Sequence, residues 1–241
     1  MRLVLIQRPQ PGADATARRA AALGLSPVTA PLFTVRAIPW DAPDAEVFDA
    51  LLITSANAVR LGGQNLAKFA HLPVFAVGEV TAQAARVAGF SLVDAGATDS
   101  NAAIGQAVSA GKRRLLHLAG REFIPLDHAA VLLKRRIVYV ADAVEALPLQ
   151  AVKALASGAV ALVHSPRAAR TFAGLIDRAR IERSNLRIAA LSQAIVSAAG
   201  SGWGEIAAAE QPNDDALLAI AARLCDQSAA GDKTGRHEDR A

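Results

Sequence analysis

The hydrophobic residues of this chain form short continuous runs, separated by longer alanine-rich stretches with a helical period. Because the runs are continuous rather than alternating, both faces of each strand are expected to be buried. Strands that alternate with helices form parallel sheets, whose right-handed crossovers place helices on both faces. The pattern therefore predicts an α/β protein with doubly wound parallel sheets. The predicted strands lie at 3–6, 49–54, 73–77, 91–95, 114–118, 136–140, 159–164, 187–191 and 204–209.

Much of the sequence occurs as two similar copies. The segment LLITSANAVR (51–60) resembles ALVHSPRAAR (161–170), so that Ser55 and Ser165 occupy equivalent positions. A long period that is present only twice indicates a duplicated domain rather than a solenoid. The chain is therefore expected to contain two similar α/β domains in tandem. Further similar pairs are RLVLIQRP with RLLHLAGR, VFAVGEVTAQAARVAGF with IAALSQAIVSAAGSGW, and TDSNAAIGQAV with QPNDDALLAIAARL.

Composition shows that the chain can bury cores of ordinary size. Of its 241 residues, 52% are hydrophobic and 20% are charged, which is typical of a folded globular protein. Only residues 228–241 are small, polar and without periodicity, and they are predicted to form a flexible tail. Neither a secretory signal nor an apolar run of about 20 residues is seen. A soluble cytoplasmic protein with no membrane partner is expected.

Charge, cysteine and histidine usage narrow the classes of function. The net charge of +4 is mild; it suits a small anionic ligand and argues against a nucleic-acid partner. Cys225 is the only cysteine, which excludes an intramolecular disulfide and a cysteine-rich metal site. Nucleotide-binding loops, HExxH helices and GxSxG elbows are absent from the sequence. No metal site is predicted, because pairwise ligand spacing is lacking among His71, His117, His128, His164 and His237.

Small hydroxyl residues follow several predicted strands at the point where a helix begins. Ligands of parallel sheets bind beyond the carboxyl ends of the strands, and the first N–H groups of a helix attract carboxylates and phosphates. Each such residue could instead simply cap its helix. Their presence at equivalent places in both repeats favours two anion-binding half-sites, facing each other across a cleft between the domains. The hydroxyl residues are Thr54, Ser55, Thr81, Ser165 and Ser192, and the amide residue Asn57 lies beside them.

Three further residues are candidates for chemistry. Tyr139, the only tyrosine, could be an ordinary packed side chain whose hydroxyl is hydrogen-bonded. With an unperturbed pKa of about 10 it would serve at neutral pH as a proton donor rather than a base. Arg8 and Arg121 follow the first strand of each repeat, either as surface residues or as carboxylate-binding forks. Since Asp, Glu and His form no recognisable acid–base set, an enzyme built on these residues would act mainly by orienting its substrate.

An ordered series of segments resembles the uroporphyrinogen-III synthase family, through to about residue 226. The series is QRPQPG, ITSANAV, AVGEVTAQAARVAGF, HLAGRE, VYVADAV, VHSPRAARTF, LSQAI and AEQPNDDALL. The resemblance implies two α/β domains joined by a two-stranded connector. One domain would comprise 1–34 plus 144–227 and the other 38–139, with the connector at 35–37 and 140–143. The extended runs FTVRAI and IVYVAD suit such connector strands.

The resemblance also implies a reaction. The substrate would be hydroxymethylbilane, a linear tetrapyrrole with acetate and propionate side chains on every ring. The family cyclises it to uroporphyrinogen III with loss of water and inversion of the terminal pyrrole ring, using neither metal nor organic cofactor. By the same resemblance Tyr139 would assist departure of the hydroxyl as an acid. The substrate carboxylates would be held by Arg8, Thr54, Ser55, Asn57, Gly78, Thr81, Arg121, Ser165 and Ser192.

One alternative belongs to a different class of function. The same residues would suit a non-catalytic, two-lobed cytoplasmic protein that binds a small polyanion, and a fold by itself does not decide between the two. In either case the chain is expected to act as a monomer. The second repeat also departs from the family at two places, because LSQAI lacks the glycine and threonine of VGEVT and His164 stands where Thr or Ser is usual.

Overall fold

Parallel β-sheet dominates the computed structural model, which describes residues 2–97, 99–123 and 125–234. Within those ranges the strands are β1 (Leu3–Ile6), β2 (Ser26–Thr29), β3 (Phe33–Ala37), β4 (Ala50–Ile53), β5 (Val74–Val77), β6 (Val93–Ala97), β7 (Arg114–Gly120), β8 (Leu132–Ala143), β9 (Val160–Val163), β10 (Arg187–Ala190) and β11 (Glu205–Ala208). The helices are α1 (Gly12–Ala22), α2 (Ala56–Leu61), α3 (Glu79–Val87), α4 (Ser100–Ser109), α5 (Leu149–Ala156), α6 (Pro166–Arg178), α7 (Gln193–Ala199) and α8 (Asp214–Thr234). Short 3₁₀ helices lie at Ala45–Val47, Gln64–Phe69 and Arg183–Asn185.

The chain divides into two compact units. The first unit comprises Met1–Thr34 and Ala143–Ala241, and the second comprises Val35–Asp142. The sheet of the first unit has the strand order β11-β10-β9-β1-β2, and every neighbouring pair in it is parallel. The other sheet has the order β3-β8-β7-β4-β5-β6, and its strands from β8 to β6 are likewise parallel. The predicted α/β class with parallel sheets is confirmed.

The two sheets correspond strand by strand once the repeated segments are matched. Strands β6, β5, β4, β7 and β8 of the second unit correspond to β11, β10, β9, β1 and β2 of the first, and β3 is added at an edge. Strands β1 and β2 come from the first repeat, whereas β9 to β11 come from the second. Each unit therefore combines one part of each repeat.

Burial on both faces explains why the strands are continuously apolar. In β4 the side chains of Leu51 and Ile53 belong to one core cluster with α2 and α3, whereas Ala50 and Leu52 belong to another with α4. All four residues are 0% exposed. Since a fully buried leucine or isoleucine stabilises the fold by about 1.5–3 kcal/mol, both faces of this strand contribute to the core.

The core of the first unit follows the same rule. Alternate residues of the central strands pack against the apolar faces of α1 and α8, and almost all of these side chains are fully buried. An amphipathic helix must bury such a face, which fixes α8 against the sheet. The cluster includes Val4, Ile6, Val160, Leu162, Ala13, Ala20, Leu217, Leu218, Ala221 and Leu224.

Three differences from the sequence-based expectation have local causes. Strand β2 was not predicted, because SPVT has no apolar run; it lies at a sheet edge, where proline is tolerated. Strand β8 is longer than predicted, because it begins in the charged segment LLKRR (132–136). Helix α8 continues to Thr234 and includes 228–234 of the predicted tail. The rest of that tail, 235–241, lies outside the described residues.

We expect Gly204→Ala to destabilise the protein by about 2–3 kcal/mol. A Cβ atom at this position would lie 2.2 Å from the backbone carbonyl oxygen of Ser184, and a backbone atom cannot move aside as a side chain can. Gly105→Ala is the matched control, because a Cβ there meets nothing within 4 Å. Relief of glycine's entropy cost inside α4 should stabilise that variant by about 0.5–1 kcal/mol. Urea unfolding measures both, and wild-type stability for Gly204→Ala would contradict the contact.

Candidate functional site

Serine residues begin two helices at the carboxyl edge of the first unit's sheet. Ser165 follows β9 and caps α6, where its Oγ accepts a hydrogen bond of 3.1 Å from the N–H of Ala168. Ser192 follows β10 and occupies the same position before α7, but its side chain makes no capping hydrogen bond. Since β9 and β10 are parallel neighbours, the two hydroxyl groups lie at the same edge of the sheet. Only the first of them is engaged in capping.

Arg8 belongs to a charged cluster at this edge of the first unit. Its Nη1 lies 3.2 Å from Oδ1 of Asp214, which also binds Arg19 at 3.0 Å and accepts a 2.7 Å hydrogen bond from Thr16. His164 Nε2 is 3.4 Å from the same carboxylate, at an ion-pair distance rather than in a well-formed hydrogen bond. His164, Thr16 and Arg8 together hold the pKa of Asp214 well below its usual range, although burial acts in the opposite direction. Asp214 therefore stays ionised and orients Arg8.

A small cavity of about 190 Å³ adjoins this cluster within the first unit. It is lined by Arg8, Ser165, His164 and Gln7, among others. The Gln7 side chain is 1% exposed, and within the described part of the chain neither of its amide atoms has a hydrogen-bond partner. Buried polar groups are normally satisfied, so this side chain is unusual.

The second unit has its own pair of strand-to-helix corners. Ser55 caps α2 by accepting a 3.2 Å hydrogen bond from the N–H of Asn57. Gly78 precedes α3 with φ of 76°, a conformation that favours glycine. The carbonyl oxygen of Gly78 accepts a hydrogen bond from the N–H of Thr81. Thr81 is buried, with only 5% of its surface exposed. Because β4 and β5 are parallel neighbours, both corners lie at the carboxyl edge of this sheet.

Thr54 is connected to a buried polar cluster that the sequence did not predict. Its Oγ1 lies 3.2 Å from Nε2 of His117, whose Nδ1 is 3.1 Å from Nε of Arg135. His117 is 1% exposed, and burial, aided by the charge of Arg135, lowers its pKa from about 6.5 to about 4. The imidazole is therefore neutral at neutral pH. The one sequence signal was a histidine inside the apolar strand RLLHL, whose partners depend on strand register.

Tyr139 and Arg121 lie close together, because Tyr139 is paired within β8 with Gly120, the last residue of β7, and Arg121 follows that residue. The N–H of Arg121 donates a 3.0 Å hydrogen bond to the carbonyl oxygen of Tyr139. The half-buried phenol ring covers Gly120, where a Cβ atom would lie 2.6 Å from Cζ. The guanidinium of Arg121 is 3.7 Å from Asp142, which Arg36 binds at 2.9 Å. Gly120 therefore gives the ring of Tyr139 its space.

The described part of the chain contains neither a cluster of metal-ligating residues nor a helix suited to a membrane. No three His, Cys, Asp or Glu residues in these ranges are close enough together to hold a metal ion. None of the helices in the same ranges is both long and apolar enough to cross a membrane.

A protein-family model identifies the chain. The model described as Uroporphyrinogen-III synthase HemD matches residues 14–219. The chain belongs to the uroporphyrinogen-III synthase family. The resemblance noted in the sequence is thereby confirmed. A sequence comparison with curated proteins finds no match.

Solved structures of uroporphyrinogen-III synthases share the fold. The enzyme from Helicobacter pylori is 17% identical; the alignment covers 92% of this chain and 98% of that one, with a TM-score of 0.60. A mutant of the enzyme from the extremely thermophilic bacterium Thermus thermophilus is 18% identical, with coverage of 93% and 99% and a TM-score of 0.51. At such low identity the likeness concerns the fold alone.

We expect this uroporphyrinogen-III synthase family member to lose stability as the pH falls from about 6.5 to about 4, by roughly 3 kcal/mol. In that window His117 becomes protonated in the unfolded chain but stays neutral in the folded protein. The free energy of unfolding therefore decreases as the pH decreases. Above the window both states are neutral, and below it both are protonated. Asp49, whose pKa Arg114 lowers to about 2, acts only at lower pH.

Urea unfolding of the wild type and of His117→Gln, at a series of pH values across this window, measures the effect. The glutamine variant has no group that titrates at this position, so its stability should change less between pH values. Parallel curves for the two proteins would contradict a neutral buried imidazole.

The serine residues provide a test of capping against binding. Ser165→Ala should lower the free energy of unfolding by about 1 kcal/mol, because α6 loses its cap. Ser192→Ala should leave stability within about 0.5 kcal/mol of wild type, since that side chain caps nothing. Thermal unfolding of both variants by circular dichroism makes the comparison. Equal losses of stability in the two variants would contradict the conclusion that only Ser165 caps its helix.

Proposed function

We propose that this chain cyclises hydroxymethylbilane to uroporphyrinogen III, with loss of water and inversion of the terminal pyrrole ring. Membership of the uroporphyrinogen-III synthase family, through a match over residues 14–219, is the observation that supports this function most directly. It favours the synthase over a non-catalytic binding protein for a polyanion. The chemistry that the sheet edges offer agrees with it, because they present hydrogen-bond donors and cations to an anionic substrate.

In this proposal the substrate carboxylates bind at the carboxyl edges of the two sheets. In the first unit the ligands are Arg8, Ser165 and Ser192. The ion pair with Asp214 orients the guanidinium of Arg8. The unsatisfied amide of Gln7 beside the cavity supports this assignment, because a bound carboxylate would supply a missing hydrogen bond. The proposed ligands of the second unit are Thr54, Ser55, Asn57, Gly78, Thr81 and Arg121.

Tyr139 is the proposed acid. Loss of water requires a proton on the departing hydroxyl oxygen as its bond to carbon breaks, and a phenol ordinarily still carries its proton at neutral pH. The ring is held over Gly120 at the end of β7, beside the backbone of Arg121. A rigid acid next to a carboxylate-binding edge can meet the substrate in a fixed orientation, which is what this reaction requires.

The two units are proposed to be the duplicated domains of the family. The correspondence of strand order between their sheets supports this assignment. The segments 35–37 and 140–143 are the proposed connector, which agrees with division of the chain after Thr34 and after Asp142. On this view 1–34 plus 144–227 forms one domain and 38–139 forms the other.

The experiment that tests the function is a coupled assay. Freshly generated hydroxymethylbilane is supplied, the products are oxidised, and the type III and type I porphyrins are separated. Type III porphyrin well above the level without protein is expected. Type I alone, at the spontaneous rate, would exclude the synthase activity, and measured binding of the substrate would then favour the non-catalytic alternative.

Tyr139→Phe is expected to lower kcat by about a hundredfold or more, as is typical for removal of a general acid. KM should change little, because the ring and its packing remain. The same assay, run over a range of substrate concentrations, separates the two parameters. Unchanged kcat would remove Tyr139 from the reaction. Thermal unfolding serves as the control, since the variant should melt like the wild type.

A further inference from the structure

We infer that His117 and Arg135 are positioning residues that hold the hydroxyl of Thr54 as a fixed hydrogen-bond donor for a carboxylate of the substrate. The inference rests on the proposed function, because it takes Thr54 to contact that carboxylate. It adds two residues of β7 and β8 that would not themselves touch the substrate.

The direction of the first hydrogen bond follows from the arginine. Arg135 Nε carries a hydrogen and cannot accept, and it lies 3.1 Å from Nδ1 of His117. Nδ1 must therefore be the acceptor. A neutral imidazole has one N–H group, so its hydrogen is on Nε2. The arginine thus selects one of the two tautomers of His117.

The second hydrogen bond then has one direction only. Nε2–H of His117 lies 3.2 Å from Oγ1 of Thr54 and donates to it. A threonine hydroxyl has one hydrogen and two lone pairs. With one lone pair occupied by His117, the hydroxyl hydrogen must point to some other acceptor. A carboxylate oxygen of the substrate is the proposed acceptor, and a chain of hydrogen bonds polarised in one direction strengthens such a donor.

Packing keeps the three residues in this order. His117 faces Leu52 of β4 on one side and Arg135 of β8 on the other in the strand register. It is 1% exposed, so water does not readily replace either partner. The guanidinium of Arg135 lies 3.7 Å from the ring centroid of Phe123, a cation–π contact that limits its movement. The arrangement crosses three neighbouring strands and ends at the carboxyl edge of the sheet.

Steady-state kinetics with hydroxymethylbilane tests the inference. Thr54→Val removes the hydroxyl at constant size and is expected to raise KM about tenfold or more, with a smaller change in kcat. Thr54→Ser should restore most of the affinity. Arg135→Met should also raise KM, because His117 is then free to place its hydrogen on either nitrogen. In the double variant, Arg135→Met should raise KM little beyond the effect of Thr54→Val alone, since both substitutions break the same chain of hydrogen bonds.

Two histidine variants sharpen the comparison. His117→Gln offers an amide oxygen to Arg135 and an amide N–H to Thr54, so it should keep a KM closer to that of wild type than His117→Phe does. His71→Gln, at an exposed position of the same unit, is the matched control and should leave KM unchanged. If His117→Phe does not fold, Arg135→Met, at a side chain that is only partly buried, still decides the question.

Nitrogen-15 NMR of the imidazole gives a readout that does not require activity. The hydrogen should be on Nε2 in the wild type and distributed over both nitrogens in Arg135→Met. A hydrogen on Nδ1 in the wild type would overturn the inference even if the protein were no synthase.

The kinetic outcomes separate the two proposals. A normal KM for Thr54→Val would remove Thr54 from the proposed substrate site and overturn the inference with it. A raised KM for Thr54→Val together with a normal KM for Arg135→Met would leave the substrate site intact. It would overturn the positioning role alone.

Discussion

Burial of both faces of parallel strands is the constraint on which the rest of this structure depends. It makes each central strand apolar at every position, as β4 shows by sending alternate side chains to two different cores. It also requires helices on both sides, and therefore crossover connections. Polar side chains then have room only where strands end. All parallel strands end at the same edge of the sheet, so the parallel arrangement by itself brings the residues available for chemistry together there.

Two exceptions to that rule are informative. His117 is a polar residue in the middle of an apolar strand, and it is tolerated because neighbouring strands supply a partner for each ring nitrogen. Gly120 is a residue without a side chain at the end of the same strand, and its absence of a Cβ gives the phenol ring of Tyr139 its position. Both departures from a simple apolar strand lead to the proposed site, one through Thr54 and one through Tyr139.

The sequence predicts what depends on neighbouring residues and misses what depends on distant ones. The α/β class and the family follow from local runs and ordered segments, and both are confirmed. Strand β2 was missed because an edge strand does not need an apolar run. The partnership of Arg8 with Asp214 joins residues 206 positions apart, and that of His117 with Arg135 depends on the register of β7 against β8. Neither periodicity nor motif spacing in a sequence reveals contacts of this kind.

The two repeats share a scaffold but differ at its polar edge. Where the second unit has Thr54, the equivalent residue of the first is His164, and the position equivalent to His117 is Leu5 in the interior of β1. The first unit places its histidine at the edge, beside the ionised Asp214 and Arg8. The second places it inside the sheet, where burial lowers its pKa to about 4 and keeps it neutral at neutral pH. The two units thus differ at equivalent strands, with an ionised cluster at the sheet edge of the first and a buried neutral imidazole inside the sheet of the second. In the proposed function, the charged cluster of the first unit and the hydroxyl of Thr54 in the second would bind substrate carboxylates in different ways.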